Sequence, residues 1–234
     1  MSRLRSFVKA VYNRVLRPFL PRKIGIQAGI AIRKPRLFDA TDTWPDHGRR
    51  RLIKMTRDVV SRGDHVVVVG GGEGLSPTAA AQATGPEGYV DIYEASKRHA
   101  EWLEETLELN VVAGHSSIHH AVVGEALDVM GEIGEPNLID PLDLLVGDVL
   151  ELDCESAELA ILSNLSRYPE TVVVETHPRF DAPTDAVRDV LSEAGYEIVQ
   201  SEPEPVAGDI LVATRGGGSR WRELWETATA SSQF

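Results

Sequence analysis

The chain alternates short apolar runs with longer segments of helical character. His65–Val69 is a β-branched run closed by Gly70, Gly71 and Gly72, and comparable runs lie at Tyr89–Tyr93, Ser117–Val123, Asp148–Leu152 and Thr171–Val174. Runs that are apolar at successive positions predict strands buried on both faces. Helices are expected over 47–61, ended by Gly63, over the Ala-rich segment 76–83 with Ser76 as cap, and over 96–109, 156–165 and 183–194. Segment 124–145, rich in Gly, Pro and Asp, reads as a short helix plus loop. Two last strands, 196–200 and 208–213, flank the turn-rich SEPEPVAGD. Repeated strand–helix–strand units require crossover connections, so the predicted fold is α/β: a mostly parallel seven-stranded sheet with helices on both faces. The final two strands have no helix between them and should pair as an antiparallel edge hairpin.

The first 20 residues follow a different pattern. Leu4, Phe7, Val8, Val11, Tyr12, Val15, Leu16 and Phe19 form one stripe of a helix closed by Pro18 and Pro21, and Arg3, Arg5, Lys9, Arg14 and Arg17 occupy the other face. Such a helix either packs its stripe on the protein's own core or a second subunit, or lies in an anionic membrane interface. The chain then divides into a basic amphipathic helix and connector (1–46), the α/β domain (47–218) and a C-terminal helical tail (219–234) carrying Trp221 and Trp225.

Charge sharpens this division. The 234 residues carry a net charge of −12, yet residues 1–38 hold ten bases and no acid, leaving −22 on the remainder. The acidic body argues against a nucleic-acid partner, and the basic arm reads as an interaction segment. One cysteine, Cys154, excludes an internal disulfide and an all-cysteine metal site. No apolar run approaches the ~20 residues of a membrane span, and basic residues interrupt the N-terminus where a signal peptide would be apolar. The expected location is the cytoplasm, with peripheral contact at a membrane surface open through residues 4–20.

The densest chemical signal is the strand-to-helix turn Gly70-Gly71-Gly72-Glu73-Gly74. Glycines there permit close approach of a ligand to backbone and allow positive φ. A dinucleotide loop would place its third glycine at the sixth position, which is Leu75, so a nucleotide-dependent oxidoreductase is disfavoured. Gly70, Gly72 and Gly74 instead occupy first, third and fifth positions. Glu94, twenty residues beyond Gly74 at the end of the next strand, is placed to accept the two hydroxyls of a ribose.

These stretches, VVVVGGGEG with IYEAS, DVLELDCESAELAIL, TVVVETHP and AGYEIV, together resemble the FkbM family of S-adenosylmethionine-dependent methyltransferases over residues 62–214. The resemblance implies a Rossmann-like class I methyltransferase fold. It also implies S-adenosylmethionine as cofactor, bound by Gly70, Gly72, Gly74, Glu94 and Ala95, and O-methylation of a small-molecule or glycan hydroxyl. Three positions depart from the family pattern: Val68 replaces the usual acid two residues before the first glycine, Glu151 the frequent Lys, and Ser156 a Gly.

An alcohol that accepts a methyl group loses a proton, so a base should stand near it. Asp153, Glu155, Glu175 and His177 lie at two neighbouring strand ends and form the expected acceptor site. His177 has the intrinsic pKa best suited to neutrality. Asp153, Glu155 and His177 could ligate a divalent ion, but no spacing demands one, and none is expected. Glu158 is expected to be a structural partner of an Arg or a backbone amide. His119 and His120 should point to opposite faces of their strand, one of them bordering the adenine pocket. The competing reading is a non-catalytic module of the same fold that docks to a membrane or protein through its basic helix.

Overall fold

The computed structural model describes residues 2–33, 35–39, 49–124, 134–155, 157–180, 182–204 and 208–216. Its strands are β1 (Gly25–Gln27), β2 (Ile30–Ile32), β3 (His65–Val69), β4 (Tyr89–Glu94), β5 (Ser116–Val123), β6 (Asn137–Ile139), β7 (Val149–Leu152), β8 (Thr171–Glu175), β9 (Tyr196–Pro203) and β10 (Asp209–Arg215). Its α-helices are α1 (Ser2–Val11), α2 (Arg49–Val59), α3 (Leu75–Thr84), α4 (Lys97–Leu109), α5 (Glu158–Asn164) and α6 (Thr184–Glu193).

β3 to β10 form one sheet in the order β6-β5-β4-β3-β7-β8-β10-β9. The six strands from β6 to β8 are parallel, and β10 pairs antiparallel with β8 and with the edge strand β9. The edge hairpin is thus as expected, but the sheet has eight strands, not seven. The added strand, β6, falls in the segment read as short helix plus loop. It has three residues between Pro136 and Pro141, too few for a strand period to show, and it pairs only with Ala121–Val123.

The valine run of β3 is apolar throughout because both its faces are covered. Val66 and Val68 pack with Leu52 and Met55 of α2, Ala80 of α3 and Leu103 of α4. Val67 and Val69 pack on the other side with Ile161 of α5 and Leu191 of α6. From β3 the chain winds outward through β4, β5 and β6, then returns to β7 on the opposite flank. The carboxyl ends of β3 and β7 therefore border the switch point where open α/β sheets take ligands.

Two local readings are corrected. α3 starts at Leu75 with Gly74 as its N-cap, so Ser76 lies inside the helix and does not cap it. Residues 25–32, read as connector, form the hairpin β1–β2 across Ala28 (φ 49°) and Gly29 (φ 82°), both left-handed as a two-residue hairpin turn requires. Ala at the first of these positions hides the signal that Asn would give. β2 is fixed to the body: Ile30 and Ile32 pack with Ile53, Leu75 and Ala79, and the Asn110 side chain exchanges hydrogen bonds of 3.0 and 2.8 Å with the Ala31 backbone.

The N-terminal stripe does not reach the core. α1 passes into a five-residue π-turn (Tyr12–Leu16) and a 3-10 turn (Arg17–Phe19), and Phe7, Val8, Val11, Val15, Leu16 and Phe19 are all exposed. Packing of the stripe on the protein's own core is therefore excluded for these side chains. Trp221, Trp225, the tail 219–234 and Ser156 lie outside the described residues.

Val68 and Glu151, two of the positions singled out from sequence, are register partners on adjacent parallel strands, so the Glu151 carboxyl lies one strand over from Val68 on the same face. Glu151 is fully buried beside the hydroxyls of Thr56 and Ser76, and burial pushes its carboxyl up to about 7. The Thr56 hydroxyl touches both the Glu151 carboxyl and, at 2.9 Å, the Leu52 carbonyl. One hydroxyl proton cannot serve both, and a protonated Glu151 satisfies the pair.

A raised carboxyl pKa stabilises the fold when protonated, so this contribution is complete below the ordinary value of 4.5 and is lost as pH rises toward 7. The loss should be about 3 kcal/mol. Denaturant unfolding of the wild type between pH 4.5 and 6.5 should show most of that decline, and Glu151→Gln should flatten it over that interval. An equal decline in the variant would place its origin elsewhere.

Candidate functional site

At the end of β3 the chain turns sharply, with Gly70, Gly72 and Gly74 at φ 94°, 52° and 89°. A Cβ on Gly70 would lie 1.9 Å from the Asp153 carbonyl oxygen, and one on Gly74 would lie 3.0 Å from Leu103 and Thr106 side-chain atoms. Gly70 and Gly74 are thus demanded by the protein's own packing, a different reason from the ligand approach expected from sequence.

The loop is tied to the next strand end. Glu94 accepts the Gly72 N–H at 2.7 Å through one carboxylate oxygen and the Ser96 N–H at 2.7 Å through the other. Those two bonds fix the carboxylate plane while each oxygen keeps a lone pair for a further donor. Glu94 is buried, and burial pushes its carboxyl up; the two N–H groups oppose that shift, and the charges of Asp153 and Glu155 reinforce it. The adjacent Ala95 carbonyl accepts from His120 Nε2 at 3.2 Å. His119 faces the other way, stacked on Tyr93 at 4.7 Å and bonded to Asp91 at 2.8 Å. Of the two histidines, His120 is the one beside Glu94 and Ala95.

Across the switch point, the ends of β7 and β8 bring together Asp153, Glu175 and His177. His177 Nε2 lies 3.5 Å from Asp153 Oδ1 and 4.0 Å from Glu175 Oε1, while Nδ1 bonds Glu158 Oε1 at 2.6 Å. Glu158 is fully buried in the first turn of α5. Its role as a structural partner is as expected, and His177 is a partner that the sequence did not point to. Burial alone would push the imidazole down; the Glu158 hydrogen bond and the charges of Asp153, Glu158 and Glu175 outweigh it and hold His177 at about 9. At neutral pH this is an imidazolium inside a ring of carboxylates.

Glu155 is half-buried between β7 and α5 and takes a left-handed backbone, φ 49°. Such a conformation costs a non-glycine residue of order 1 kcal/mol or more and is concentrated at functional turns. One oxygen or nitrogen each from Asp153, Glu175 and His177 lie within 4.8 Å of one another, a span that a divalent ion could bridge. Glu175, not Glu155, completes that set. The proton held by His177 to about 9 already places a positive charge there, so a metal would have to displace it. Desolvation pushes the Cys154 thiol well up, as suits an inert packing residue.

Comparison with known proteins bears on the fold. No family model matches the chain, and no curated protein sequence matches it. Solved structures do. The chain is similar to ribosomal protein L11 methylase of Lactobacillus delbrueckii subsp. bulgaricus, with TM-score 0.53 and 13% identity over 74% of this chain and 81% of that one. It is similar to Trm5b of Pyrococcus abyssi, with TM-score 0.53 and 13% identity over 84% of this chain and 56% of that one. A Pyrococcus horikoshii protein described as a transferase gives TM-score 0.52 and 14% identity over 82% and 70%. The fold is that of the Rossmann-like class I methyltransferases.

Proposed function

We propose that the protein is an S-adenosylmethionine-dependent methyltransferase that methylates a hydroxyl oxygen on a small molecule or glycan, as the resemblance to the FkbM family implies. The observation that carries this reading is the Glu94 carboxylate, pinned by backbone N–H groups of the glycine loop and of Ser96 at the switch point. Its remaining lone pairs suit two ribose hydroxyls. When bound, the cofactor supplies an electrophilic methyl group on a positively charged sulfur. The surrounding Asp153, Glu155 and Glu175 favour a cation electrostatically.

Asp153 is the residue that takes the hydroxyl proton. Its side chain is 28% exposed, against 8% for His177, so Asp153 can touch an acceptor that His177 cannot readily reach. His177, charged and fixed by Glu158, positions the Asp153 carboxylate. Water exclusion and alignment of the two reactants supply the rest of the rate.

Calorimetric titration with S-adenosylmethionine and, separately, with NAD tests the reading. Saturable heat with the first and none with the second is expected. Absence of binding to S-adenosylmethionine would overturn it. Transfer of a methyl group to a hydroxyl in a metabolite or glycan extract, read by mass spectrometry, then tests the acceptor class.

A further inference from the structure

We infer that α1 and the two turns after it lie in the interface of an anionic lipid bilayer, holding the methyltransferase-fold body at a membrane surface. Six side chains of the apolar stripe are open to solvent: exposure runs from 40% at Val11 to 86% at Phe19, with Phe7 at 66%. Two phenylalanines and four aliphatic side chains held in water have no reason to persist on a helix unless something apolar covers them.

Charge identifies what covers them. Lys9 and Arg14 accompany the stripe, and no acid occurs in the first 38 residues. Long cationic side chains on the flanks of an apolar face lie at the level of phosphate groups when that face enters the acyl boundary. The segment is not a span: among the described residues no helix is long and apolar enough to cross a membrane. Repulsion between the body's excess acid and an anionic surface leaves the basic arm as the side that can approach.

The helix is also attached so that it can hold the body. The Tyr12 hydroxyl donates to Asp39 at 2.6 Å and lies 3.0 Å from the Leu37 carbonyl, and Arg17 Nε donates to Asp39 at 3.0 Å. Lys23 Nζ reaches the Asp39 carbonyl at 2.6 Å. These bonds fix the base of the helix to the turn at 36–39, which presents Leu37 and Phe38, 39% and 78% exposed, beside it. A second apolar contact next to the helix restricts how the body can pivot.

The test uses the full chain and vesicles of phosphatidylcholine with or without phosphatidylglycerol, read by co-sedimentation. Wild type should pellet with the phosphatidylglycerol vesicles, at least tenfold better than with phosphatidylcholine alone. The variant Phe7→Asp/Phe19→Asp should lose at least tenfold of that partition while keeping its thermal transition. Binding of S-adenosylmethionine is measured in parallel and should be equal in both proteins, so failure of the cofactor reading does not affect this result. Wild type remaining in the supernatant with phosphatidylglycerol vesicles at every lipid concentration overturns the proposal. So does a concentration-dependent dimer, without lipid binding, that the double variant abolishes, because the stripe would then belong to a second copy.

Discussion

Asp153→Asn should lower kcat by about 10²- to 10⁴-fold, the usual contribution of a positioned general base, with little change in the affinity for S-adenosylmethionine. The substitution keeps the shape and removes the charge proposed to take the proton. The pH profile separates this assignment from its nearest rival. His177 retains its proton to about 9, so if the neutral imidazole were the base, the rate would climb roughly tenfold per pH unit between 7 and 9. A base that is already ionised throughout the interval gives no such rise. A flat rate over that interval is expected in the wild type, and a steep one would move the role to His177.

Stability offers an independent readout of the same cluster. A histidine whose pKa is raised stabilises the fold fully below its ordinary value of 6.5, and that contribution disappears as pH passes through about 9. The thermal midpoint should therefore fall between those limits, and His177→Gln should remove the dependence. This window meets the one expected for Glu151, 4.5 to about 7, only at its lower edge, so the two groups can be distinguished by titration alone.

Glu94→Gln should weaken binding of S-adenosylmethionine by about 10²- to 10⁴-fold, because two charge-assisted hydrogen bonds, each of roughly 1.5–3 kcal/mol, lose their anionic acceptor. The fold should survive. A buried carboxylate whose pKa is raised by desolvation destabilises the protein when ionised, so exchanging it for an amide relieves part of that cost even as one N–H of the loop loses an ideal acceptor. Calorimetry of donor binding, with the unfolding midpoint measured on the same samples, checks both statements. Lost affinity in a protein unfolded at the assay temperature would void the assignment of Glu94 to the ribose, and so would unchanged affinity.

What the sequence made legible follows from how local each signal is. β3 stands over the expected residues, and β4 gains only Glu94, because a β-branched run buried on both faces needs no partner to be recognised. The glycine turn and Glu94 were visible together because a single βαβ unit contains both. The bond between Glu158 and His177 was not, since two residues nineteen apart meet only when α5 and β8 pack, and neither the spacing nor the residue types specify the other as partner. Glu151 looked like a lost Lys until the strand register set it beside Val68. β6 and the β1–β2 hairpin escaped notice because three-residue strands are too short to display a period.

The contact between Gly70 and the Asp153 carbonyl has a consequence for how the proposed site can change. The wall proposed to receive the donor and the wall proposed to carry the proton acceptor meet backbone to backbone, with no room for even a methyl group between them. Change at position 70 therefore disturbs both sides of the proposed site together. Routes to a new acceptor run instead through side chains that reach the pocket without touching that seam, Glu175 first among them.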